Sequence, residues 1–401
     1  MATFLWACWD GGGQIPPSLG IARRLAARGH EVVFAGQQEM VPRVTAAGFE
    51  GIELRTVPDE QARYAWHPLG AVLGFLTSPV VGEEVLGLAR SRRPDAVILD
   101  AKFSAAHCVA PELGVPSAVM LHSYFHRSFG SWLEHMRYQS GVRMGSGFPA
   151  LPSIAQLWGA ADLVQVNTLR ELDGPDRTRL STVRHGGPIL ELDPRGAQAA
   201  GAATAEPPGT DPLVVVSFST AESQADADKL QRTLDALAPL PVRVVATTAM
   251  VDPRSLRVPA NARAVRFAPH DELIRRARLV VTHGGHGTAM RALAHGVNLL
   301  CVTAFDPDGS GRVPLDQAHT AVMAEELGVG RFVPADAAPE RIREAAAHLL
   351  ASAACHANAR HTAGLMAAVD GAGVAADRLE ALADGWRPAL EPLTPAFATL
   401  G

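Results

Sequence analysis

RLVVTHGGHGTAMRALAHGV, residues 278–297, is the stretch that decides the fold. An apolar run ends at Thr282, His283 stands at its tip, glycines follow, and a helix begins around His286 to Thr288. A strand that passes through a glycine turn into a helix is half of a βαβ unit. Such a turn offers free backbone N–H groups and the positive end of a helix dipole to an anion, with an imidazole and a Thr hydroxyl beside them. A phosphate fits.

Working outward, the second half of the chain repeats the pattern. Apolar runs at 212–218, 242–247, 263–267 and 297–303 alternate with helical stretches, among them 224–238, 338–351 and 356–383, before a Pro-rich tail. The first half has the same rhythm: runs at 3–8, 31–36, 49–54, 95–100, 117–122 and 162–167, with helices at 18–28, 38–47 and 103–113. Alternation of this kind predicts parallel sheets. Residues 192–211, rich in Gly, Pro and Ala, read as a linker. The expected organisation is therefore a domain over 1–195, a linker over 196–211, a second domain over 212–370, and a final helix and tail over 371–401 that packs back on the first domain. Ligands of open parallel sheets bind at the carboxyl ends of the strands, so a cleft between two such domains is the expected site.

Composition narrows the partners. The chain has 401 residues, more than one hydrophobic core supports. With 36 basic against 41 acidic residues the net charge is −5, and no basic stripe suits nucleic acid. No apolar run reaches the ~20 residues of a membrane span and no signal-peptide pattern opens the chain, so a cytoplasmic location is expected. Cys8, Cys108, Cys301 and Cys355 are widely spaced, as buried thiols are. Only Lys102 and Lys229 are lysines, a bias that reads as codon usage and carries no mechanistic weight. A nicotinamide site would need GxGxxG and an acid at the next strand tip; the 11–13 glycines are instead followed at that tip by AlaGlyGln, 35–37. His283 and His286 lack a third ligand at a familiar spacing, so no metal site is expected.

The block FAPHDELIRRARLVVTHGGHGTAMRALAHGVNLLCV, with PLDQAHTA after it (267–321), resembles the donor-binding signature of GT-B nucleotide-sugar glycosyltransferases, in the group of bacterial natural-product and plant secondary-metabolite enzymes. The resemblance covers nearly the whole chain. It implies an α/β GT-B fold of two Rossmann-like parallel-sheet domains facing across a cleft. It implies that Phe267 stacks on the nucleobase while Ala268 to His270 offer backbone contacts. His283, Gly285, Gly287 and Thr288 match the diphosphate cradle, Ser219 and Thr220 the loop on its other side, and Asp316 and Gln317 the pair that holds sugar hydroxyls. Two departures stand out: Arg291 occupies a position usually acidic and near the ribose, and the loop 305–312 is longer than usual.

Enzymes that this chain resembles invert the anomeric centre in one displacement and need no metal or further cofactor, the TDP- or UDP-sugar being a co-substrate. The expected partner is an apolar aglycone, and the chain acts alone or as a homodimer. WDGGGQIPP, residues 9–17, forms the acceptor-side turn, where relatives carry a general-base His oriented by an Asp from a later strand tip. Asp100 matches that Asp, but Gln14 stands in place of the His, and a carboxamide cannot take a proton near neutral pH. Candidate replacements are Asp10 in the same turn, then Asp100, His67 and His122; alternatively the acceptor is acidic enough to need only positioning. Aromatic insertions at 56–92 and 125–160 suit an apolar acceptor or a core, with Trp66, His67, Phe75, His122, Tyr124, Phe129 and Trp132 as lining residues beside Gln14. A nucleotide-sugar epimerase of the same fold and a degenerate binding protein are the rival readings.

Overall fold

The computed structural model describes residues 1–11, 13–67, 70–178, 180–191, 206–218, 225–304 and 316–387. Ser219, Thr220, Gly12, the loop 305–312, most of the linker and the end of the tail lie outside them.

Thirteen strands are present among the described residues: β1 Thr3–Ala7, β2 Glu31–Gly36, β3 Glu50–Glu53, β4 Ala96–Asp100, β5 Ser117–Leu121, β6 Leu163–Val166, β7 Val183–His185, β8 Leu213–Ser217, β9 Arg243–Thr247, β10 Ala262–Val265, β11 Leu279–Thr282, β12 Asn298–Thr303 and β13 Gly330–Pro334. The helices are α1 Ile15–Ala27, α2 Val41–Ala46, α3 Val57–Arg63, α4 Gly70–Thr77, α5 Pro79–Arg92, α6 Ser104–Val109, α7 Phe129–Gly145, α8 Ile154–Gly159, α9 Ala227–Leu237, α10 His270–Arg276, α11 His286–Ala294, α12 Gln317–Glu326, α13 Pro339–Ala351, α14 Ala353–Ala367 and α15 Gly371–Ala383.

Two sheets result, ordered β3-β2-β1-β4-β5-β6-β7 and β10-β9-β8-β11-β12-β13, with all pairs parallel. Both faces of a parallel sheet are covered, so its central strands are apolar throughout rather than alternating. β4, β5, β8 and β12 are buried at every position. The chain divides into two compact units, one comprising 1–10, 18–189 and 371–401 and the other 11–17 and 190–370.

The structure amends several expected boundaries. α1 starts at Ile15, not 18, because Pro16 and Pro17 stand in its first turn, where a missing N–H costs nothing. The stretch 356–383 is two helices, α14 and α15. β7 and β13 lack an apolar run long enough to be read in advance. Among the described residues no helix is long and apolar enough to cross a membrane. The four cysteines are free, Cys8 and Cys301 buried and the others half-buried.

Within the first unit, α15 is tied down at both ends. Arg28 pairs with Asp377 at 2.5 Å and Glu380 at 2.8 Å, while the start of the helix lies so close to residues 187–188 that a Cβ on Gly371 would stand 2.5 Å from the Gly187 oxygen and 2.6 Å from that of Pro188. Those atoms are main chain and cannot swing aside. Gly371→Ala is therefore expected to destabilise the protein by about 1–3 kcal/mol, the ordinary range for overpacking, read as a lowered urea midpoint.

Candidate functional site

In each sheet the strand order reverses once, between β1 and β4 and between β8 and β11. Crossovers leave in opposite directions at such a point, which opens a crevice at the carboxyl ends of the two strands. The residues at those four strand ends are the candidates.

In the second unit β8 and β11 pair in register, Ser217 with Thr282, which sets Phe218 beside His283. The turn after β11 is compact for a steric reason. Gly284 has φ +91°, and a Cβ there would lie 2.5 Å from the main-chain oxygen of Gln317; a Cβ on Gly285 would lie 2.6 Å from Nε2 of His283. Glycine is required at 284, where the close atom is main chain and φ is left-handed, while at 285 a side chain would displace the His283 ring. Gly285, the N-cap of α11, has no side chain to cap with, and the Asp316 carboxylate serves instead, accepting from the His286 N–H at 3.0 Å. No described residue accepts from the N–H groups of Gly287 and Thr288. Gly287 faces open space. Burial lowers the pKa of His283 to about 4, Lys229 adding to the fall while Asp316 and the Ser217 backbone oppose it, so the imidazole is neutral at pH 7.

The structure thus brings His283, Gly285, Gly287, Thr288, Asp316 and Gln317 to one locality, with Oε1 of Gln317 receiving the Thr303 hydroxyl at 3.2 Å. Phe267 is 38% exposed, which removes it from the core and leaves its ring face open. Ala268 is buried, and Nε2 of His270 bonds the Thr247 hydroxyl at 3.1 Å. Arg291 donates to Asp271 at 2.9 Å and to the Glu191 carbonyl at 2.8 Å, and His295 reaches the same Asp271 oxygen at 3.0 Å. A basic residue at 291 is explained by that cluster.

In the first unit Asp100, the last residue of β4, is buried. Its Oδ1 accepts from Nε1 of Trp9 at 3.1 Å and from the Lys102 N–H at 2.9 Å, and its main-chain oxygen accepts from Nε2 of His107 at 2.8 Å. Burial raises the Asp100 pKa to about 6, although the Lys102 N–H, the Lys102 charge and Trp9 all pull it down. Asp10 has a different setting. Its carboxylate is hydrogen-bonded to the Arg43 guanidinium, and Gln37 grips its backbone through both amide atoms, at 2.9 and 3.3 Å. Asp10 is thus one half of a largely buried ion pair, whereas Asp100 has no ion-pair partner among the described residues.

His122 also leaves the candidate bases. Arg378, which can only donate, gives a hydrogen bond to Oε1 of Gln165 at 2.8 Å; Nε2 of Gln165 donates to Oδ1 of Asn167 at 3.1 Å; and Nδ2 of Asn167 then donates to Nδ1 of His122 at 2.9 Å. The imidazole proton is forced onto Nε2, which faces the Ser18 hydroxyl at 3.0 Å. None of Arg378, Gln165, Asn167 and Ser18 was legible as a partner, since they are scattered from 18 to 378.

Comparison with known proteins accords with this geometry. Residues 231–382 match the family model of the erythromycin biosynthesis protein CIII-like C-terminal domain. The chain is 26% identical over 354 residues to 4'-demethylrebeccamycin synthase of Lentzea aerocolonigenes, covering 76% of this chain and 83% of that one. The solved glycotransferase of kitacinnamycin is similar over 95% of this chain and 99% of its own, with TM-score 0.72 and 22% identity. VinC in complex with DTDP gives 0.68 over 96% and 100%, at 18% identity. The chain has the GT-B fold of natural-product glycosyltransferases, and its second half resembles the C-terminal domain of that erythromycin-biosynthesis family.

The expected acceptor residues divide in two. Phe75, Tyr124 and Trp132 are fully buried core residues: Phe75 packs edge-on to Phe103, and Nε1 of Trp132 donates to the Tyr124 carbonyl at 2.9 Å while its ring meets Trp158 at 5.2 Å. Packing explains them, and the acceptor expectation is corrected accordingly. Phe129 is half-buried against Phe125. Trp66 and Tyr138 are 56% and 41% exposed, with His67 edge-on to both and bonded to the Tyr138 hydroxyl at 3.0 Å.

The raised pKa of Asp100 has a sign that can be checked. The unfolded carboxyl ionises near 4 and the folded one near 6, so between those values the folded state binds more protons and stability falls as pH rises. Asp100→Asn, which keeps an acceptor for Trp9 and Lys102, should gain on the parent by about 2 kcal/mol from pH 4 to pH 7, measured by urea denaturation.

Proposed function

We propose that the protein transfers a sugar from a TDP- or UDP-sugar to an apolar small-molecule aglycone, with inversion and with no metal ion in the step. The observation that carries the donor half is the α11 N-terminus, where the N–H groups of Gly287 and Thr288 have no acceptor among the described residues and a neutral His283 stands beside them. Charge growing on a leaving diphosphate is met by such preorganised donors without reorganisation. That VinC is described with DTDP supports a thymidine donor. Asp316 and Gln317 bond the sugar hydroxyls and the exposed Phe267 stacks on the base.

Asp100 is the general base. Its Oδ1 is occupied by Trp9 and Lys102, while no described residue hydrogen-bonds Oδ2. Oδ2 takes the acceptor proton as the nucleophile bonds to the anomeric carbon and the bond from that carbon to the diphosphate oxygen breaks. A base with a pKa of about 6 is ionised at neutral pH yet more basic than an ordinary carboxylate, which is the compromise general-base catalysis requires. Gln14 orients the acceptor by hydrogen bonds, and the exposed Trp66 and Tyr138, with the half-buried His67 between them, offer it an apolar face.

The test is a mass-spectrometric transfer assay with TDP- and UDP-sugars against an aglycone panel, product configuration being read by NMR. In the parent, kcat/KM should be low below pH 5 and rise through an apparent pKa of about 6 as Asp100 loses its proton. Asp100→Asn should lower kcat about 10²- to 10⁴-fold and abolish that limb. Near-normal turnover in Asp100→Asn would sink the assignment. Gln14→His should raise the rate on alcohol acceptors, and a chelator should leave every rate unchanged.

A further inference from the structure

We propose that Lys229 is a ligand of the donor diphosphate, supplying the one full positive charge of a cradle otherwise built from neutral donors. The inference rests on the donor reading above and adds a residue to it. Lys229 lies in the first turn of α9, its own N–H capped by Asp226 at 2.7 Å. It is only 9% exposed, and its Nζ stands 4.7 Å from the centre of the Phe218 ring. Phe218 follows β8 and is therefore the neighbour of His283 across the strand pair. The lysine charge is felt by His283, helping to keep that ring neutral, which places the ammonium within electrostatic reach of the turn.

The Asp226 charge acts on this ammonium, but no ion pair or side-chain hydrogen bond with a described residue engages it. A buried ammonium is costly without an anion, and a cation–π contact returns only part of its hydration. Lys102 provides an internal contrast. It too lies over the aromatic residue that follows the first strand of its sheet, Nζ being 5.6 Å from the Trp9 ring, with the Asp100 charge nearby as Asp226 is for Lys229; what differs is that Lys229 stands beside the glycine turn at the α11 N-terminus.

The ligand side of the balance agrees. A diphosphate arriving at α11 meets a neutral His283 and the Asp316 carboxylate already bound to the His286 N–H, which repels it. Some cation has to offset that charge. Arg291 is committed to Asp271 and Glu191, so among the residues already located around the turn Lys229 is the group whose charge is uncommitted. The ammonium is a compact point charge suited to a phosphate oxygen.

The experiment is calorimetric titration of the full chain with TDP, UDP and thymidine, for the parent and for Lys229→Met, Lys229→Gln and Lys229→Arg, each checked for an unchanged unfolding midpoint. TDP or UDP affinity should fall about 10- to 100-fold in the Met and Gln variants and stay within a few-fold in the Arg variant, while thymidine affinity is unchanged. Equal TDP and UDP affinity in Met, Gln and parent would overturn the inference, and so would an equal loss for thymidine, which marks a packing role. Failure of the parent to bind either diphosphate would instead overturn the donor reading itself, and the inference with it.

Discussion

The reversal of strand order is the constraint on which both halves of the molecule depend. In each sheet the first strand to form in sequence, β1 or β8, lies at the centre and is flanked by its successor on one side and by β4 or β11 on the other. The two central strand ends therefore stand side by side with their connecting chains diverging. Whatever follows β1 is a neighbour of the tip of β4, and whatever follows β8 is a neighbour of the tip of β11. Trp9 with Asp100, and Phe218 with His283, are the same topological pair twice over.

Burial at those tips sets the protonation states in opposite directions. Desolvation disfavours charge, so it raises the carboxyl of Asp100 to about 6 and lowers the imidazole of His283 to about 4. His107, which anchors the Asp100 carbonyl, is lowered to about 4 by the same cause and holds its bond as a neutral donor. One physical effect thus yields a carboxylate more basic than usual in one unit and an uncharged hydrogen-bond donor in the other. Two carboxylates keep their charge by local pairing instead, Asp10 with Arg43 and Asp271 with Arg291 and His295.

Glycine does equally specific work. The turn after β11 approaches the first residue of α12 so closely that only hydrogen fits at Gly284, and this contact brings Asp316 to the start of α11. Gly186 leaves room for Gln165, since a Cβ there would lie 2.4 Å from its Nε2 and displace a link in the hydrogen-bond chain that reaches His122.

By itself the sequence determined the alternation of strand and helix, the parallel sheets, and the turn HGGHG as a place where a phosphate could sit. Those properties are local: apolar runs, glycine spacing and helix starts are written in consecutive residues. It also singled out Asp100 and Gln14 as the pair at issue for the acceptor proton. Only the tertiary structure decided which carboxylate keeps its oxygen available, because Arg43 reaches Asp10 across 33 positions. Only it separated the aromatic insertions into a core of Phe75, Tyr124 and Trp132 and an exposed pair, Trp66 and Tyr138, since composition does not record which face a ring presents. Lys229, in a chain with two lysines, is a compositional accident until the register of β8 with β11 sets Phe218 beside His283. Burial, pairing and charge are sums over neighbours distant in sequence, and those neighbours exist only once the chain has folded.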